Sequence, residues 1–347
     1  MEIKPSMFIG VHGGNIISFG SGQPDLPPPE NVFSCLSNYR EFKYGLIAGE
    51  TKLRDTLAKQ NPGFTKDNFV ITNGASEALD LVLRVVAKPG EKVLLHKPYY
   101  YSYKPLIEMN NLKAEFVETE KGKIIYEDFE EKVHGCSAVL INSPCNPTGR
   151  IQDISTLKKI EKITKDLDIP LISDEVYKEL IYERDNYFLS GPHVVTVNSF
   201  SKTFSMCGHR VGYFFSNDLN IVKKVIELKT HSSMNTSTVG QEMAYQALIS
   251  PKDYIEKQRK IWQQRRDFIY KRMLEMNFDV WKPEGAFYIF PKIDNPKKFV
   301  LDMFQKHDVI TYLGEWFGDN ERVRFSYALS EEKIEEGLNR VKKYLEK

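Results

Sequence analysis

Several short polar motifs in this chain each follow an apolar run, and together they carry an unusual set of reactive groups. SAVLINSP runs into Asn146-Pro147-Thr148-Gly149, PLIS into Asp174-Glu175-Val176-Tyr177, and VVTVN into Ser199-Phe200-Ser201-Lys202. Eight residues beyond Lys202 stands Arg210, inside Gly208-His209-Arg210-Val211-Gly212. A further run, NFVIT, ends in Asn73-Gly74-Ala75-Ser76. A lysine amine can condense with a carbonyl and afterwards carry a proton. Backbone N–H groups opening a helix, beside hydroxyls and an arginine fork, favour a phosphate-like anion. Singly, each motif also reads as a surface side chain or a plain turn. As an ordered set they supply every group that one particular cofactor needs.

The elements that must position these groups follow from periodicity. ETKLRDTLAKQ is amphipathic at helical spacing and stops at Asn61-Pro62-Gly63, a turn signal. NFVITNG reads as a strand and ASEALDLVLRVVA as the helix after it; EKVLLH, KAEFVET and SAVLINSP read as further strands. A helix from Asp153 to Asp168 and the strands PLISDEVY, VVTVNSFS and RVGYFFS follow. Strands alternating with helices predict an α/β fold with a mainly parallel sheet covered on both faces. In such a sheet ligands bind at the carboxyl ends of the strands, where the polar motifs fall. The segment from Lys252 to Met276 reads as one long helix. Beyond it, GAFYIFPKI, VITYLG and VRFSYAL read as strands, and PKKFVLDMFQKH and EEKIEEGLNRVKKYL as helices, which suggests a smaller α+β domain. The first 30 residues, with GSGQPDLPPPE, read as an irregular crossing. The expected division is a large domain over residues 31–250 and a small one from residues 1–30 plus 251–347.

Composition narrows the function classes. The 347 residues suggest about two domains. Lys plus Arg (48) against Asp plus Glu (47) gives a net charge of +1, so nucleic acid and anionic membrane surfaces are not expected as partners. Hydrophobic residues at 41% and charged residues at 27% fit an ordinary globular protein. Cys35, Cys136, Cys145 and Cys207 are widely spaced without CxxC pairs, so no zinc ribbon, other metal site or disulfide framework is expected. No apolar run approaches about 18 residues, and the N-terminus lacks a long apolar core, so a cytoplasmic location is expected. The histidines, including His12, His209 and His231, belong to no motif.

The ordered motifs NPTG, DEVY, SFSK and GHRVG resemble those of the pyridoxal-5′-phosphate aminotransferases of fold type I, the class I/II family, over a span from Gly22 to about Ala328. The resemblance implies the fold type I architecture, a large mainly parallel α/β domain with a smaller α+β domain. It implies that Lys202 is the Schiff-base lysine and that Asp174 faces the pyridine nitrogen, making the ring an electron sink. Tyr177 and Asn146 resemble the pair that hydrogen-bonds the ring hydroxyl oxygen, and Tyr100, in KPYYYSY with Tyr99 and Tyr101, the aromatic on the ring face. Gly74, Ala75, Ser76, Ser199, Ser201 and Arg210 resemble the phosphate-binding set. Tyr44 matches the tyrosine that reaches the phosphate of a neighbouring subunit, which implies a homodimer with shared sites. Arg324 in VRFSYA resembles the arginine that binds the substrate α-carboxylate, and Gly22 in SGQPD the backbone position that closes over the substrate.

These likenesses imply ping-pong transfer of an amino group from an L-amino acid to a 2-oxo acid, of aspartate/aromatic type or broad specificity. Ser76 stands where some dicarboxylate-specific relatives place a lysine, so a second carboxylate-binding cation is not evident. A histidinol-phosphate aminotransferase is one alternative, since the chain's length is nearer that of those enzymes, whereas YGLIAGETKLR follows the aspartate-type pattern. A lyase or decarboxylase on the same fold, similar to the threonine-phosphate decarboxylases, is the alternative within the cofactor class, because the pocket selects which bond to Cα breaks. A non-catalytic regulator has no support in the charge balance, and a dinucleotide-binding dehydrogenase lacks the expected GxGxxG.

Overall fold

Runs such as VLLH, AVLIN and VVTVNS place apolar side chains at consecutive positions, which suits strands buried on both faces. A computed structural model describes residues 3–8, 10–11, 13–183, 187–251 and 253–346; His12 and Lys252 lie outside the described residues. The runs form β1 (Phe69–Thr72), β2 (Lys92–His96), β3 (Lys113–Val117), β4 (Ala138–Asn142), β5 (Leu171–Asp174), β6 (Val194–Ser199) and β7 (Gly212–Ser216). They make one seven-stranded sheet in the order β1-β7-β6-β5-β4-β2-β3. From β6 to β3 the neighbours are parallel, as expected. β7 runs antiparallel between β1 and β6.

Strand alternation sorts the side chains into two faces. Val70, Val93, Leu95, Leu140, Ile172, Val195, Val197 and Phe214 share one apolar cluster with the helix α1 (Gly74–Val86), through Ala78, Leu79 and Val82. Leu94, Val139, Ile141 and Leu171 face the other way, onto Phe129, Leu157 and Ile160. Cross-strand register pairs Asn142 with Asp174, Asp174 with Val197, and Gly212 with both Ser199 and Thr72. Counting by twos from the α1-side residues therefore brings Asn142, Asp174 and Ser199 to the same face at the strands' carboxyl ends. The site's polar row is a consequence of this register.

PLISDEVY does not continue as a strand through Tyr177: β5 ends at Asp174. The Asp174 carboxylate accepts a hydrogen bond from the backbone N–H of Val176 (3.2 Å), an Asx-type turn that terminates the strand. Helix α2 (Leu219–His231), absent from the sequence reading, lies against α1. Its fully buried Lys229 donates to Glu77 Oε2 (3.0 Å), and Glu77 also accepts from the Asn73 N–H (2.6 Å). This ties down the first turn of α1, which opens towards the polar row.

Residues of the long helix α3 (Asp253–Glu275) and three short strands, β8 (Tyr288–Ile289), β9 (Tyr312–Leu313) and β10 (Val323–Ser326), build a second core. The N-terminal segment is less irregular than expected: Ile17–Ser18 pairs in parallel with Val309–Ile310. Phe8, Ile17 and Phe19 belong to the same apolar cluster as Trp262, Phe287, Phe325 and Leu338. Gly337, inside the helix α4 (Glu331–Leu345), lets Phe19 approach: a Cβ there would strike the Phe19 ring. A helical glycine costs about 1 kcal/mol of local stability, and here it accommodates the packing of the N-terminal segment.

β7 also depends on a glycine. A Cβ on Gly212 would lie 2.5 Å from the Gly74 carbonyl carbon and 2.6 Å from the Ala75 nitrogen, backbone that cannot swing aside. Gly212→Ala is expected to lower the unfolding free energy by about 1–3 kcal/mol in urea denaturation. Gly135→Ala, where a Cβ meets nothing within 4 Å, is the control and is expected to change it by less than about 0.5 kcal/mol.

Candidate active site

The carboxyl ends of β4, β5 and β6 face a cavity of about 560 Å³. Its other walls are the N-terminal segment, the start of α1, the Tyr100–Tyr103 turn, and Tyr288, Tyr312 and Arg324 from the second core. Short loops after successive strands thus deliver distant parts of the sequence to one space.

On one side lie an amine and a carboxylate. Lys202, from the short helix Phe200–Thr203, donates from Nζ to the Gly22 carbonyl oxygen (2.6 Å). Asp174 is 4% exposed and accepts from the Tyr103 hydroxyl (2.6 Å) and the Val176 N–H. Burial pushes the Asp174 carboxyl up to about 6, although the Tyr103 and Val176 hydrogen bonds and the Lys202 charge pull the other way. An ionised carboxylate kept here at neutral pH suits a cationic partner inside the cavity.

Ala75 and Ser76 line the cavity at the first turn of α1, beside Ser199, Ser201 and Arg210. Gly74 has φ +78°, a backbone conformation that favours glycine, and the Arg210 guanidinium lies where a Cβ would project. Arg210 has a left-handed backbone and donates from Nη1 to the Cys207 carbonyl oxygen (2.8 Å). The Ser199 hydroxyl oxygen accepts from the Ser201 N–H (2.9 Å), capping the short helix that carries Lys202. Helix N–H groups, hydroxyls and a guanidinium together form a cup for an anion.

Opposite stands Arg324 on β10, 2% exposed. Its Nη1 donates to Asn146 Oδ1 (2.9 Å), and its Nη2 to the Gly20 carbonyl oxygen (2.6 Å). Its Nε is buried with no partner. Tyr288, Tyr312 and Phe317 enclose the guanidinium, with ring centroids 4.5, 4.7 and 4.9 Å away. Among the described residues no carboxylate pairs with Lys202, Arg210 or Arg324. A buried arginine with an orphan N–H beside a cavity fits a carboxylate ligand.

Of the residues singled out in the sequence, Gly22, Ala75, Ser76, Tyr100, Asn146, Asp174, Tyr177, Ser199, Ser201, Lys202, Arg210 and Arg324 all line the cavity. Gly74 lies just behind Arg210. Tyr44 is not among the lining residues; it is 82% exposed, near the equally exposed Phe42. Tyr99 turns away to stack on Phe116 (5.2 Å), leaving Tyr100 and Tyr101 at the cavity. Tyr177 shares a hydrogen bond with Tyr288 (2.8 Å). His209 and His231 do not line the cavity.

Sequence reasoning missed Tyr103, Tyr288 and Tyr312. Tyr103 sits in the same KPYYYSY run as Tyr100, where no local signal separates a core ring from a functional hydroxyl. Tyr288 and Tyr312 lie in strands whose only visible signal was alternation.

Comparison with known proteins is consistent with this geometry. The family model described as Aminotransferase class I and II matches residues 14–341. The probable aspartate/prephenate aminotransferase of Aquifex aeolicus is 35% identical, the match covering 96% of this chain and 92% of the relative. The crystal structure of the Thermotoga maritima aspartate aminotransferase superposes with a TM-score of 0.92 at 30% identity, over 96% of this chain and 93% of that one. The aromatic aminotransferase of Pyrococcus horikoshii gives a TM-score of 0.89 at 31% identity, over 96% of both chains.

Because the folded-state value for Asp174 lies above the ordinary 3.8, holding its ionised form costs stability. That cost is absent below about pH 4, grows as pH rises, and is complete above about pH 6, where it amounts to about 3 kcal/mol. Asp174→Asn removes the titration and leaves an acceptor for Tyr103. In urea denaturation of the cofactor-free proteins, the stability of the variant relative to wild type is expected to rise by about that amount between pH 4 and 7. A difference flat with pH would show that Asp174 does not titrate as a buried carboxyl.

Proposed function

The chain belongs to the class I and II aminotransferase family, and from that premise we propose a pyridoxal-5′-phosphate enzyme that moves an amino group from an L-amino acid to a 2-oxo acid. The observation that carries the reading is the conjunction, in one cavity, of an amine, a buried carboxylate and an anion cup, with no protein counter-charge paired to the cationic groups among the described residues. These are complementary to an aldehyde, a ring nitrogen and a phosphate respectively. When bound, pyridoxal phosphate would supply an aldehyde that exchanges amino groups and a ring that takes up electrons from Cα.

In this reading Gly74, Ala75, Ser76, Ser199, Ser201 and Arg210 would hold the phosphate, Tyr100 would lie beside the ring, and Asn146 and Tyr177 would serve the ring hydroxyl oxygen. Asp174 would face the ring nitrogen and favour its protonated form. Arg324 binds the substrate α-carboxylate bidentately and so fixes the orientation of the Cα–H bond. Lys202 Nζ, once freed from the cofactor, would stand as the base that takes up and returns the substrate's Cα proton. The overall exchange would convert the L-amino acid to its 2-oxo acid and a second 2-oxo acid to its amino acid.

The division into residues 31–250 and residues 1–30 with 251–347 is part of the proposal. It is supported by the shared core of the N-terminal segment and the C-terminal strands. Closure of the smaller unit through Gly22 would exclude water. A homodimer with Tyr44 serving the neighbouring site is also proposed, supported by the exposure of Tyr44 and Phe42.

Aspartate/aromatic-type specificity is the substrate reading. The names of the Aquifex and Thermotoga relatives favour an acidic donor. The Pyrococcus relative's name favours an aromatic one, as does the cavity wall beside Arg324, where Tyr312 lies 6.3 Å from Phe8 and 6.2 Å from Tyr101 between ring centroids.

The near-ultraviolet and visible spectrum tests the reaction. Purified protein given pyridoxal phosphate is expected to acquire the absorption of lysine-bound cofactor, to lose it on adding the preferred L-amino acid, and to regain it with a 2-oxo acid. Lys202→Ala is expected to lack the lysine-bound band and to lose essentially all turnover; sustained transamination by that variant would overturn the assignment. A wild-type band that no amino acid converts would favour the lyase reading.

The shared site has its own test. Mixed dimers of Lys202→Ala and Tyr44→Phe are expected to contain one complete site, recovering about a quarter of wild-type activity after random exchange. Absence of recovery, with Tyr44→Phe itself impaired, would place Tyr44 in its own subunit's site.

A further inference from the structure

We propose that Tyr103 is a positioning residue for the transfer reaction: its hydroxyl fixes the Asp174 carboxylate in the arrangement that pairs with the cofactor's ring nitrogen. The inference rests on the pyridoxal-phosphate reading and assigns a role to a residue outside the sequence motifs.

Asp174 is restrained through both oxygens. Oδ2 accepts from the Tyr103 hydroxyl at 2.6 Å, and Oδ1 from the Val176 N–H at 3.2 Å. The second bond belongs to the turn that ends β5, so only the first comes from another element. A carboxylate free to rotate about its side-chain bonds would spend part of its time off the ring nitrogen; one bonded through both oxygens does not.

Tyr103 is suited to be a permanent donor. It is 3% exposed, and its ring packs in the apolar cluster that contains Leu79, Ile107 and Leu140. Burial, with the Asp174 charge next, holds its ionisation well above the ordinary phenol range. It therefore keeps its proton wherever the enzyme would work and cannot repel the carboxylate. The other titratable groups that bear on Asp174 are Lys202, whose charge favours the ionised form, and Cys145 and Glu175; Tyr177 bears on Tyr103. The Cys145 thiol and the Tyr177 phenol are likewise held protonated by burial. Glu175 is bonded to the Ser173 hydroxyl (2.9 Å).

Tyr103 also meets Tyr100 edge to face, with centroids 5.4 Å apart and planes at 85°. One side chain thus braces the aromatic proposed for the ring face and the carboxylate proposed for the ring nitrogen.

The test is a double comparison in full-length protein. Pyridoxal phosphate and its 1-deaza analogue, in which carbon replaces the ring nitrogen, are titrated into wild type and Tyr103→Phe by absorbance. Phenylalanine keeps the packing and removes only the donor. The expected result is about tenfold weaker binding of pyridoxal phosphate by the variant, with the deaza analogue changed by less than about twofold, since it offers Asp174 nothing to pair with. In the Asp174→Asn background, the Tyr103→Phe change is expected to cost less than about twofold for either ligand. Equal losses for both ligands, or no loss for either, would overturn the proposal and leave Tyr103 as packing alone. If Tyr103→Phe does not fold, Tyr103→Leu supplies the same ratio. Refusal of pyridoxal phosphate by wild type would be a different result, overturning the cofactor reading itself.

Discussion

An ionisable carboxylate held at the end of a buried strand is the constraint around which this site is built. Asp174 closes β5 where neighbouring strands are almost wholly apolar, and burial alone would push it towards the neutral acid. Three features oppose that: the Tyr103 hydroxyl, the N–H of Val176 and the charge of Lys202 across the cavity. The same water-poor surroundings strengthen every charge interaction made there. Under the proposed pyridoxal-phosphate reading, a cationic ring nitrogen would gain from that environment, at the cost of a less stable cofactor-free state.

Register and close backbone approach convert that one residue into a constellation. The period of two in the parallel strands puts Asn142, Asp174 and Ser199 on the face covered by α1. Gly212 lets β7 pass against the start of α1, and Gly74 leaves room for Arg210. Glu77, held by the buried Lys229, anchors the Asn73 N–H one step before that cup. The cup proposed for the phosphate is therefore a junction of β1, α1, β6 and β7, and its shape depends on glycine at two positions.

The opposite wall comes from the second core, in which residues near the N-terminus pack with residues beyond 260. Arg324 reaches the cavity from β10 inside a cage of three aromatic rings, held by Asn146 and the Gly20 carbonyl. Lys202 is bonded to the Gly22 carbonyl. Both cations thus touch the N-terminal strap, so binding at either is mechanically connected to it. If Arg324 holds the substrate carboxylate as proposed, the aromatic rings beside it are the wall that a substrate side chain would meet.

By itself the sequence determined the α/β architecture, because consecutive apolar β-formers bounded by turns leave few other arrangements. It also marked Lys202, Asp174, Asn146, Tyr177 and Arg210, which fall in short motifs after apolar runs, whereas Arg324, inside β10, was marked by the family resemblance alone. What it left open are properties that arise between distant segments. The antiparallel insertion of β7, the end of β5 at Asp174 rather than Tyr177, and the pairing of Ile17–Ser18 with Val309–Ile310 are decided by which edges meet. Tyr103, Tyr288 and Tyr312 were indistinguishable from core aromatics because they matter only through partners 71, 111 and 12 positions away: the Tyr103 and Tyr288 hydroxyls through Asp174 and Tyr177, and the Tyr312 ring through Arg324. Local periodicity records which face a residue takes, whereas only the folded chain decides what stands opposite it.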